Sequence, residues 1–259
     1  MSDVDAIDAD FTHENPKTFA VVIANEHYQE ADGVRFANND GITFKRYCTN
    51  LLGIPEQNVH LRTDATLNNV MAELGWLEKV SKAYEGDCRV IVCYAGHGMP
   101  SETSKSAYLL PVDGIPTDES TAIPLSTFYA RLAAIPSLQT TVFLDACFSG
   151  TNRDDRMLSQ ARGIAIKPKA ETPTGNIVVF SAASGDETAY PYEKQSHGLF
   201  TYFLLKMLQT SKGSATLGEI SDYVKKDVER YSVVVNNKSQ TPVMSASPTL
   251  QNWQQLKLR

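Results

Sequence analysis

The apolar residues of this chain follow two alternating patterns. In one, short runs of apolar and β-branched residues stand between polar segments, as in strands buried on both faces. In the other, apolar residues recur every three or four positions, which is typical of helices packed by one face. The alternation predicts an α/β domain with a mostly parallel sheet of about six strands and helices on both faces. The predicted strands are 19–24, 59–62, 89–95, 141–144, 177–181 and 240–245, and the clearest helices begin near 40, 66, 124, 199 and 217.

Two predicted strands run directly into reactive side chains. Residues 141–150 read TVFLDACFSG, so Cys147 follows a buried strand and precedes a turn. Residues 89–97 read RVIVCYAGH, so His97 has the same position after another strand. Open α/β sheets place their ligands at the carboxyl ends of strands. A spacing of roughly 50 residues leaves room for a crossover connection, so two parallel neighbours would bring both side chains to one edge.

These two stretches resemble the His and Cys boxes of the caspase-like cysteine peptidases, which include caspases, metacaspases, paracaspases and the bacterial orthocaspases. The resemblance continues in other stretches and covers most of residues 17–250. It implies a caspase-like fold with an antiparallel last strand, and a thiol protease activity. The further similar stretches are FAVVIANEHY (19–28), FANNDGITFKRYC (36–48), VVFSAASGDETAY (178–190) and HGLFTYFLLKML (197–208).

The expected chemistry is attack of a thiol on a peptide carbonyl. Cys147 is the candidate nucleophile and His97 the candidate base, because a thiol at neutral pH needs such a partner. The backbone N–H groups of Gly98 and Cys147 are the candidate oxyanion donors, by the resemblance and by their position beside the pair. A backbone carbonyl is expected to orient His97. The alternatives are a merely buried cysteine, a structural histidine in a Gly-rich turn, or His197 as the base.

Two acids indicate the substrate preference. Asp145 stands where caspases carry a glutamine, and metacaspases and paracaspases, which resemble this chain there, cleave after Arg or Lys. Asp40 aligns with a second pocket acid of those relatives. The alternatives are that Asp145 anchors the neighbouring turn and that Asp40 caps a helix. Ser181 and Asp186 are expected along the substrate groove, with the Ser181 backbone open to strand addition by a peptide.

Composition divides the chain into segments. Residues 1–16 are polar and acidic, and we expect a flexible N-terminal arm there. Residues 17–259 are expected to form one caspase-like peptidase domain, with a large-subunit-like part (17–150) and a small-subunit-like part (176–259). Residues 151–175 lie where relatives carry the linker between subunits, and they lack apolar periodicity, which predicts an exposed loop.

The basic residues of this linker-like loop match the expected substrate preference. The chain is therefore expected either to cleave itself within the loop or simply to carry a mobile segment there. The candidate cleavage positions are Arg153, Arg156, Arg162 and Lys167.

Charge and composition limit the partners and cofactors. The net charge of −6 disfavours nucleic acid and is compatible with basic peptides. No apolar run is long enough for a membrane span, and the N-terminus lacks a signal-peptide pattern, so we expect a cytoplasmic protein. The 4 cysteines are expected as free thiols. No cofactor is expected, and calcium is not favoured, because Asp113, Asp118 and Glu119 are too few for its oxygen shell.

The leading hypothesis is a cysteine endopeptidase that takes protein or peptide substrates with a basic P1 residue. One alternative is a latent caspase-fold interaction module that a separate activator or regulator protein controls. Others are an Asp-specific caspase-like peptidase and a small-molecule acyl-transferring hydrolase. Labelling of Cys147 and a comparison of P1 residues would separate them.

Overall fold

A computed structural model gives the structure of the protein over residues 2–7, 14–101, 103–150, 153, 171–185 and 187–259. In these ranges the chain forms a six-stranded sheet in the order β11-β8-β7-β3-β1-β2. All neighbouring strands of this sheet are parallel except the pair of β8 and β11. The predicted mostly parallel sheet with an antiparallel last strand is therefore confirmed.

The elements of the described residues are numbered in chain order. The strands are β1 (Thr18–Ala24), β2 (Val59–Thr63), β3 (Arg89–Ala95), β4 (Gly98–Pro100), β5 (Ala107–Leu109), β6 (Ile123–Pro124), β7 (Gln139–Asp145), β8 (Ile177–Ser181), β9 (Pro191–Tyr192), β10 (His197–Gly198) and β11 (Val243–Ala246). The helices are α1 (Ala37–Asn50), α2 (Leu67–Ala83), α3 (Leu125–Ala133), α4 (Leu199–Thr210) and α5 (Leu217–Asn236).

The central strands are buried on both faces, and successive side chains enter different cores. Phe143 of β7 packs with residues of α1, α4 and α5. Val142, one position earlier, packs with residues of α2 and α3 on the opposite face. Helices on both faces of the sheet are thus confirmed, and they explain why β1 and β7 have no exposed residue.

The N-terminal residues 2–7 lie against the domain, although the sequence predicts a flexible arm over 1–16. Val4 is fully buried, and its carbonyl accepts a hydrogen bond from the Tyr47 hydroxyl at 2.8 Å. Asp3 forms an ion pair of 2.7 Å with Lys206 of α4. A single buried apolar side chain with flanking acids therefore fastens this segment to α1 and α4, which its polar composition did not indicate.

The last strand begins at Val243, three residues later than the sequence predicts. Gln240, the predicted first residue, is buried, and its side chain is used elsewhere. Its amide oxygen accepts from the backbone N–H of Tyr190 at 2.9 Å, and its amide nitrogen donates to the carbonyl of Ala182 at 2.9 Å. Gln240 thereby holds the loop between β8 and β9 in place.

None of the helices in the described ranges is both long enough and apolar enough to span a membrane.

Candidate active site

The two reactive side chains leave the sheet side by side. In the register of β3 and β7, Ala95 pairs with Asp145. His97 follows Ala95 by two residues, and Cys147 follows Asp145 by two residues. A Cβ atom placed on Gly98 would lie 2.6 Å from the carbonyl oxygen of Cys147, so the two backbones are in contact. Only glycine fits at that position. The structure thus brings His97 and Cys147 to the same edge, as the sequence predicts.

The His97 ring is held from two sides. Its Nε2 atom lies 2.7 Å from the carbonyl oxygen of Asp32, and its backbone N–H donates to the Tyr28 hydroxyl at 2.7 Å. The Tyr28 and His97 rings lie 4.5 Å apart between centroids. A carbonyl only accepts, so Nε2 carries the proton and Nδ1 carries the lone pair. The backbone carbonyl expected from the sequence is that of Asp32.

Burial controls the protonation of the pair. His97 is 2% exposed and Cys147 is 4% exposed. Burial lowers the pKa of His97 to about 4, so its imidazole is neutral at pH 7. Burial raises the pKa of Cys147 to about 12, so its sulfur is a thiol in this state. Both side chains are therefore neutral at pH 7 in this structure.

The loop after β8 covers the sulfur. The backbone N–H of Ala189 donates to Sγ of Cys147 at 2.8 Å, and Sγ lies 3.5 Å from the Ala189 carbonyl oxygen. Ala189 is fully buried, and its neighbours Thr188 and Tyr190 are also buried. The sulfur is therefore covered by this loop in the structure.

The two acids predicted for the specificity pocket converge on the start of α4. Gly198, the N-cap residue, donates its backbone N–H to Asp40 at 3.0 Å. Thr201, in the first turn, donates its hydroxyl to Asp145 Oδ2 at 2.6 Å and its backbone N–H at 3.3 Å. The positive end of a helix stabilises carboxylates there. This explains how two acids from distant parts of the chain are held together in the interior.

The structure decides between the readings of each acid. Asp40 is not a helix cap, because α1 begins at Ala37 with Phe36 as its N-cap and without a side-chain cap. Asp145 does anchor a neighbouring element, α4, but its Oδ1 atom is buried without a hydrogen-bond partner. Burial raises the pKa of Asp145, and the charge of Arg153 opposes this rise.

Arg153 lies between the two acids. Its Nη2 atom is 2.9 Å from Asp40 Oδ2 and 3.1 Å from Asp145 Oδ2, and its Nη1 donates to the Arg35 carbonyl at 2.6 Å. The sequence predicts Arg153 in an exposed loop, but the residue is only 3% exposed. The correction has a physical reason, because two buried carboxylates need a cation. Burial opposes the charge of Arg153, but Asp145 and Asp40 outweigh it and raise its pKa.

His197 belongs to this acid cluster. It is fully buried, its Nδ1 lies 2.8 Å from Asp40 Oδ1, and its Nε2 lies 3.1 Å from Asp5 Oδ1. Burial disfavours its protonation, but hydrogen bonds and charge from Asp40 and Asp5 prevail and raise its pKa. Since both ring nitrogens face carboxylates, His197 is not placed as a base for Cys147.

Sequence reasoning missed the roles of Asp5, His197 and Gly198 in this cluster. The available signal was the His-Gly dipeptide directly before a strongly apolar helix. A Cβ on Gly198 would overlap with Asp145 Oδ2 and lie 2.5 Å from Nη2 of Arg153. Nothing in the sequence linked Asp5 to the site, because its acidic surroundings are typical of a solvated terminus.

The other predicted site residues are placed differently. Ser181 lies in β8 between two partner strands, paired with Leu144 and Val243. The backbone N–H of Ala182 donates to the Leu144 carbonyl at 2.8 Å. Ser181 thus has a strand on each side, and the expected strand addition there stays a prediction. Asp186, Arg156, Arg162 and Lys167 lie outside the described residues.

The acids considered for calcium are engaged separately. Asp113 accepts from the Leu67 backbone at 2.8 Å, Asp118 accepts from the Ser120 backbone at 3.0 Å, and Glu119 accepts from the Tyr108 hydroxyl at 2.9 Å. Across the residues that the structure describes, no three His, Cys, Asp or Glu side chains form a group suited to a metal ion.

Fold and site together define a class: an α/β domain of the caspase type, with a cysteine and a histidine at the carboxyl edge of its sheet. A sequence profile of the caspase domain family matches residues 17–252, and the chain belongs to this family. Members of the family are cysteine peptidases. No curated protein sequence matches the chain.

Solved structures agree on the fold. Caspase-1 from Spodoptera frugiperda superposes with a TM-score of 0.63 at 13% sequence identity, covering 93% of this chain and 90% of that chain. A protein of Geobacter sulfurreducens superposes with a TM-score of 0.67 at 17% identity, covering 93% of this chain and 100% of that chain. At these identities the likeness concerns the fold alone.

Proposed function

We propose that the protein is a cysteine endopeptidase that hydrolyses peptide bonds after Arg or Lys and uses Cys147 and His97 as its catalytic pair. The observation that carries the proposal is the shared edge of β3 and β7, where Ala95 and Asp145 pair and the two reactive residues follow. The bond from His97 Nε2 to the Asp32 carbonyl supports it, because it leaves the lone pair on Nδ1 for the thiol proton.

The proposed reaction has two halves. In the first, Nδ1 of His97 accepts the thiol proton, Sγ of Cys147 bonds to the scissile carbonyl carbon, and the C–N bond breaks as His97 protonates the leaving amine. In the second, water attacks the thioester, its proton passes to His97, and the C–S bond breaks to release the acid and restore the thiol. The backbone N–H groups of Gly98 and Cys147 are the proposed donors to the oxyanion.

The acid cluster supports the basic P1 preference. Asp40 and Asp145 already bind a guanidinium, that of Arg153, with two short ion pairs in the interior. An aspartate side chain would meet like charges there, which disfavours an Asp-specific peptidase. The proposed substrates are therefore proteins or peptides that present arginine or lysine in an extended segment.

Hydrolysis of paired fluorogenic peptides that differ only at P1 tests this proposal. Because Arg153 lies in the pocket, wild type and Arg153→Ala are assayed together, with Cys147→Ala as the inactive control and Cys93→Ala as a matched cysteine control. We expect cleavage of the Arg and Lys peptides by at least one of the two active forms, and none by Cys147→Ala. Preference for Asp at P1, or equal rates with Cys147→Ala, would refute the assignment.

Self-processing within residues 151–175 remains part of the proposal. The placement of Arg153 between two acids makes that residue a proposed cleavage position, and Arg156, Arg162 and Lys167 lie outside the described residues. Incubated wild type should separate into two fragments, while Cys147→Ala stays intact. Single bands for both proteins, under conditions in which peptides are cleaved, would remove self-processing.

One observation favours a second candidate function, a latent interaction module controlled by a separate activator protein. The side chains of Cys147 and His97 are both buried, and the Cys147 sulfur accepts a hydrogen bond from the backbone N–H of Ala189. If the protein is such an interaction module, iodoacetamide should not label Cys147 in the folded protein, with or without Arg153. The peptidase predicts labelling of Cys147 once Arg153 is replaced.

A further inference from the structure

We infer that Arg153 is an internal mimic of the substrate: it occupies the acid-lined pocket of the resting protein, and a basic side chain of a substrate binds only after residue 153 leaves. The inference rests on the proposed preference for basic residues. It adds that the chain carries its own competitive ligand, six positions after the proposed nucleophile.

Two of the three guanidinium nitrogens of Arg153 have partners in the pocket, and Nε is buried without a hydrogen-bond partner. Nη2 of Arg153 contacts both carboxylates, at 2.9 Å for Asp40 and 3.1 Å for Asp145, and Nη1 donates to the Arg35 carbonyl at 2.6 Å. These acceptors come from α1, β7 and the loop before α1, so several elements of the fold shape the site. A planar fork with several donors matches such a set.

The shape of the pocket also depends on Gly198. A Cβ at this position would lie 2.5 Å from Nη2 and 2.9 Å from Cζ of Arg153, so the guanidinium lies directly against the backbone at the start of α4. Asp40 is fixed behind it by His197 and by the backbone N–H of Gly198. Asp40 therefore has partners of its own besides Arg153.

Two cations cannot share this site. Asp40 and Asp145 are both at most 2% exposed, and the same nitrogen of Arg153 lies within ion-pair distance of both. A second guanidinium in the same enclosed space would meet a like charge. Substrate and Arg153 therefore exclude each other, and the apparent affinity for a substrate falls by the fraction of molecules with a vacant pocket.

The resting state is closed at the reactive pair as well. Cys147 and His97 are nearly inaccessible to solvent, and the backbone N–H of Ala189 donates a hydrogen bond to the Cys147 sulfur. The charge of Arg153 reaches both groups: after the effect of burial, it contributes to the lowered pKa of His97 and opposes the raised pKa of Cys147. Arg153 thus lies near the reaction centre, where a P1 side chain would lie.

The competing explanation is a permanent structural cation that only neutralises two buried acids. The two explanations differ in what happens when Arg153 is removed. If Arg153 is only a structural cation, its removal damages the site, and added amidines do not bind there. An internal mimic leaves a pocket that binds a small amidinium in its place.

Binding of benzamidine, followed by thermal unfolding and calorimetry, separates them in the inactive Cys147→Ala background. Neutral benzamide is the ligand control, and Arg156→Ala is the variant control. We expect Arg153→Ala to lower the melting temperature by roughly 6 °C or more, since it leaves buried carboxylates unpaired. We expect benzamidine, but not benzamide, to restore part of this loss, and to leave the parent and Arg156→Ala unchanged.

Equal benzamidine binding with and without Arg153, or no binding to a folded Arg153→Ala protein, would overturn the inference. If Arg153→Ala fails to fold, Arg153→Gln removes the charge but keeps a shorter polar side chain with N–H donors, and the same two outcomes apply. This readout needs no catalysis, so it stands apart from the proposed function.

Peptide hydrolysis completes the test. In the active background, Arg153→Ala should lower KM for a P1-arginine peptide by about tenfold or more relative to Arg156→Ala. An unchanged KM would contradict the internal mimic. Benzamidine binding without hydrolysis of any peptide would leave the occupied pocket in place and refute the peptidase.

Discussion

Asp40 and Asp145, which come from α1 and β7, contact the same guanidinium nitrogen of Arg153 at 2.9 and 3.1 Å. The first turn of α4 holds both of them through Gly198 and Thr201. Two carboxylates in the interior repel each other unless a cation or hydrogen-bond donors compensate them. The arrangement is therefore a binding site for one positive charge, built at the edge where Cys147 and His97 emerge.

Neutralising either acid should remove the preference for basic residues. We expect Asp40→Asn and Asp145→Asn to lower kcat/KM for a P1-arginine peptide by about 100-fold, because a desolvated ion pair is lost and the remaining acid is left with fewer partners. Asp113→Asn is the matched control, since Asp113 accepts a backbone bond at the start of α2 instead. Steady-state kinetics measures the effect. Loss confined to kcat, with KM unchanged, would argue against a binding role.

The orientation of His97 should depend on the backbone of Asp32 and not on its carboxylate. We expect Asp32→Ala to keep hydrolysis within about threefold, because the Asp32 carbonyl is the group that lies 2.7 Å from Nε2. Tyr28→Phe should lower kcat by about tenfold, because it leaves the buried N–H of His97 unpaired. Equal losses in the two variants would show that the Asp32 side chain, and not its carbonyl, matters.

Stability should change with pH through His197. Its pKa is raised in the folded state, where Asp40 and Asp5 face its two nitrogens. The stability gained from its protonation is complete below its ordinary pKa and is lost as pH rises through the raised folded value. Wild type should therefore lose melting temperature as pH rises above about 6.5, and His197→Asn should show a flatter profile over the same range.

The acid side of the same profile has a different origin. Burial lowers the folded-state pKa of His97 to about 4, so protons bind the unfolded chain more readily and stability falls as pH decreases from about 6.5 towards that value. His97→Gln should flatten this limb and leave the alkaline limb in place. An alkaline limb that is identical in wild type and His197→Asn would contradict the assignment to His197.

Two glycines should respond in opposite directions to the same substitution. In Gly198→Ala the added methyl would overlap with Asp145 and contact Arg153, and we expect a loss of about 2 kcal/mol. In Gly75→Ala, within α2, the added methyl meets nothing within 4 Å, and we expect a gain of up to about 1 kcal/mol. Chemical unfolding measures both free energies. An unchanged free energy of unfolding in Gly198→Ala would mean that the pocket accommodates a methyl group, contrary to the contacts at Gly198.

The fold was largely predictable because each buried strand of the sheet reads as a continuous apolar run. The ends of β3 and β7 were predictable for the same reason, and they placed His97 and Cys147 on one edge. Asp40 and Asp145 were predicted as a pair only through a family resemblance, since they meet through the start of α4, a contact that no local pattern encodes.

Three features were not predictable from the pattern of residues. Arg153 stands in a basic, irregular segment, and such composition indicates exposure, whereas its burial follows from a need for charge compensation elsewhere in the fold. Val4 is one apolar residue among acids, too little for a periodic signal, yet it is fully buried. The extent of β11 along β8, which reaches Ser181, is likewise not encoded in a local pattern.

The proposed peptidase requires that Cys147 attack carbonyl groups whose neighbouring side chain is basic. Peptidyl chloromethyl ketones that differ only in carrying Arg or Asp at P1 test it directly, with Arg153→Ala as the protein and mass mapping of all four cysteines as the readout. We expect rapid labelling of Cys147 by the Arg reagent, slow labelling by the Asp reagent, and no label on Cys93. Labelling of another cysteine, or faster reaction of the Asp reagent, would contradict it.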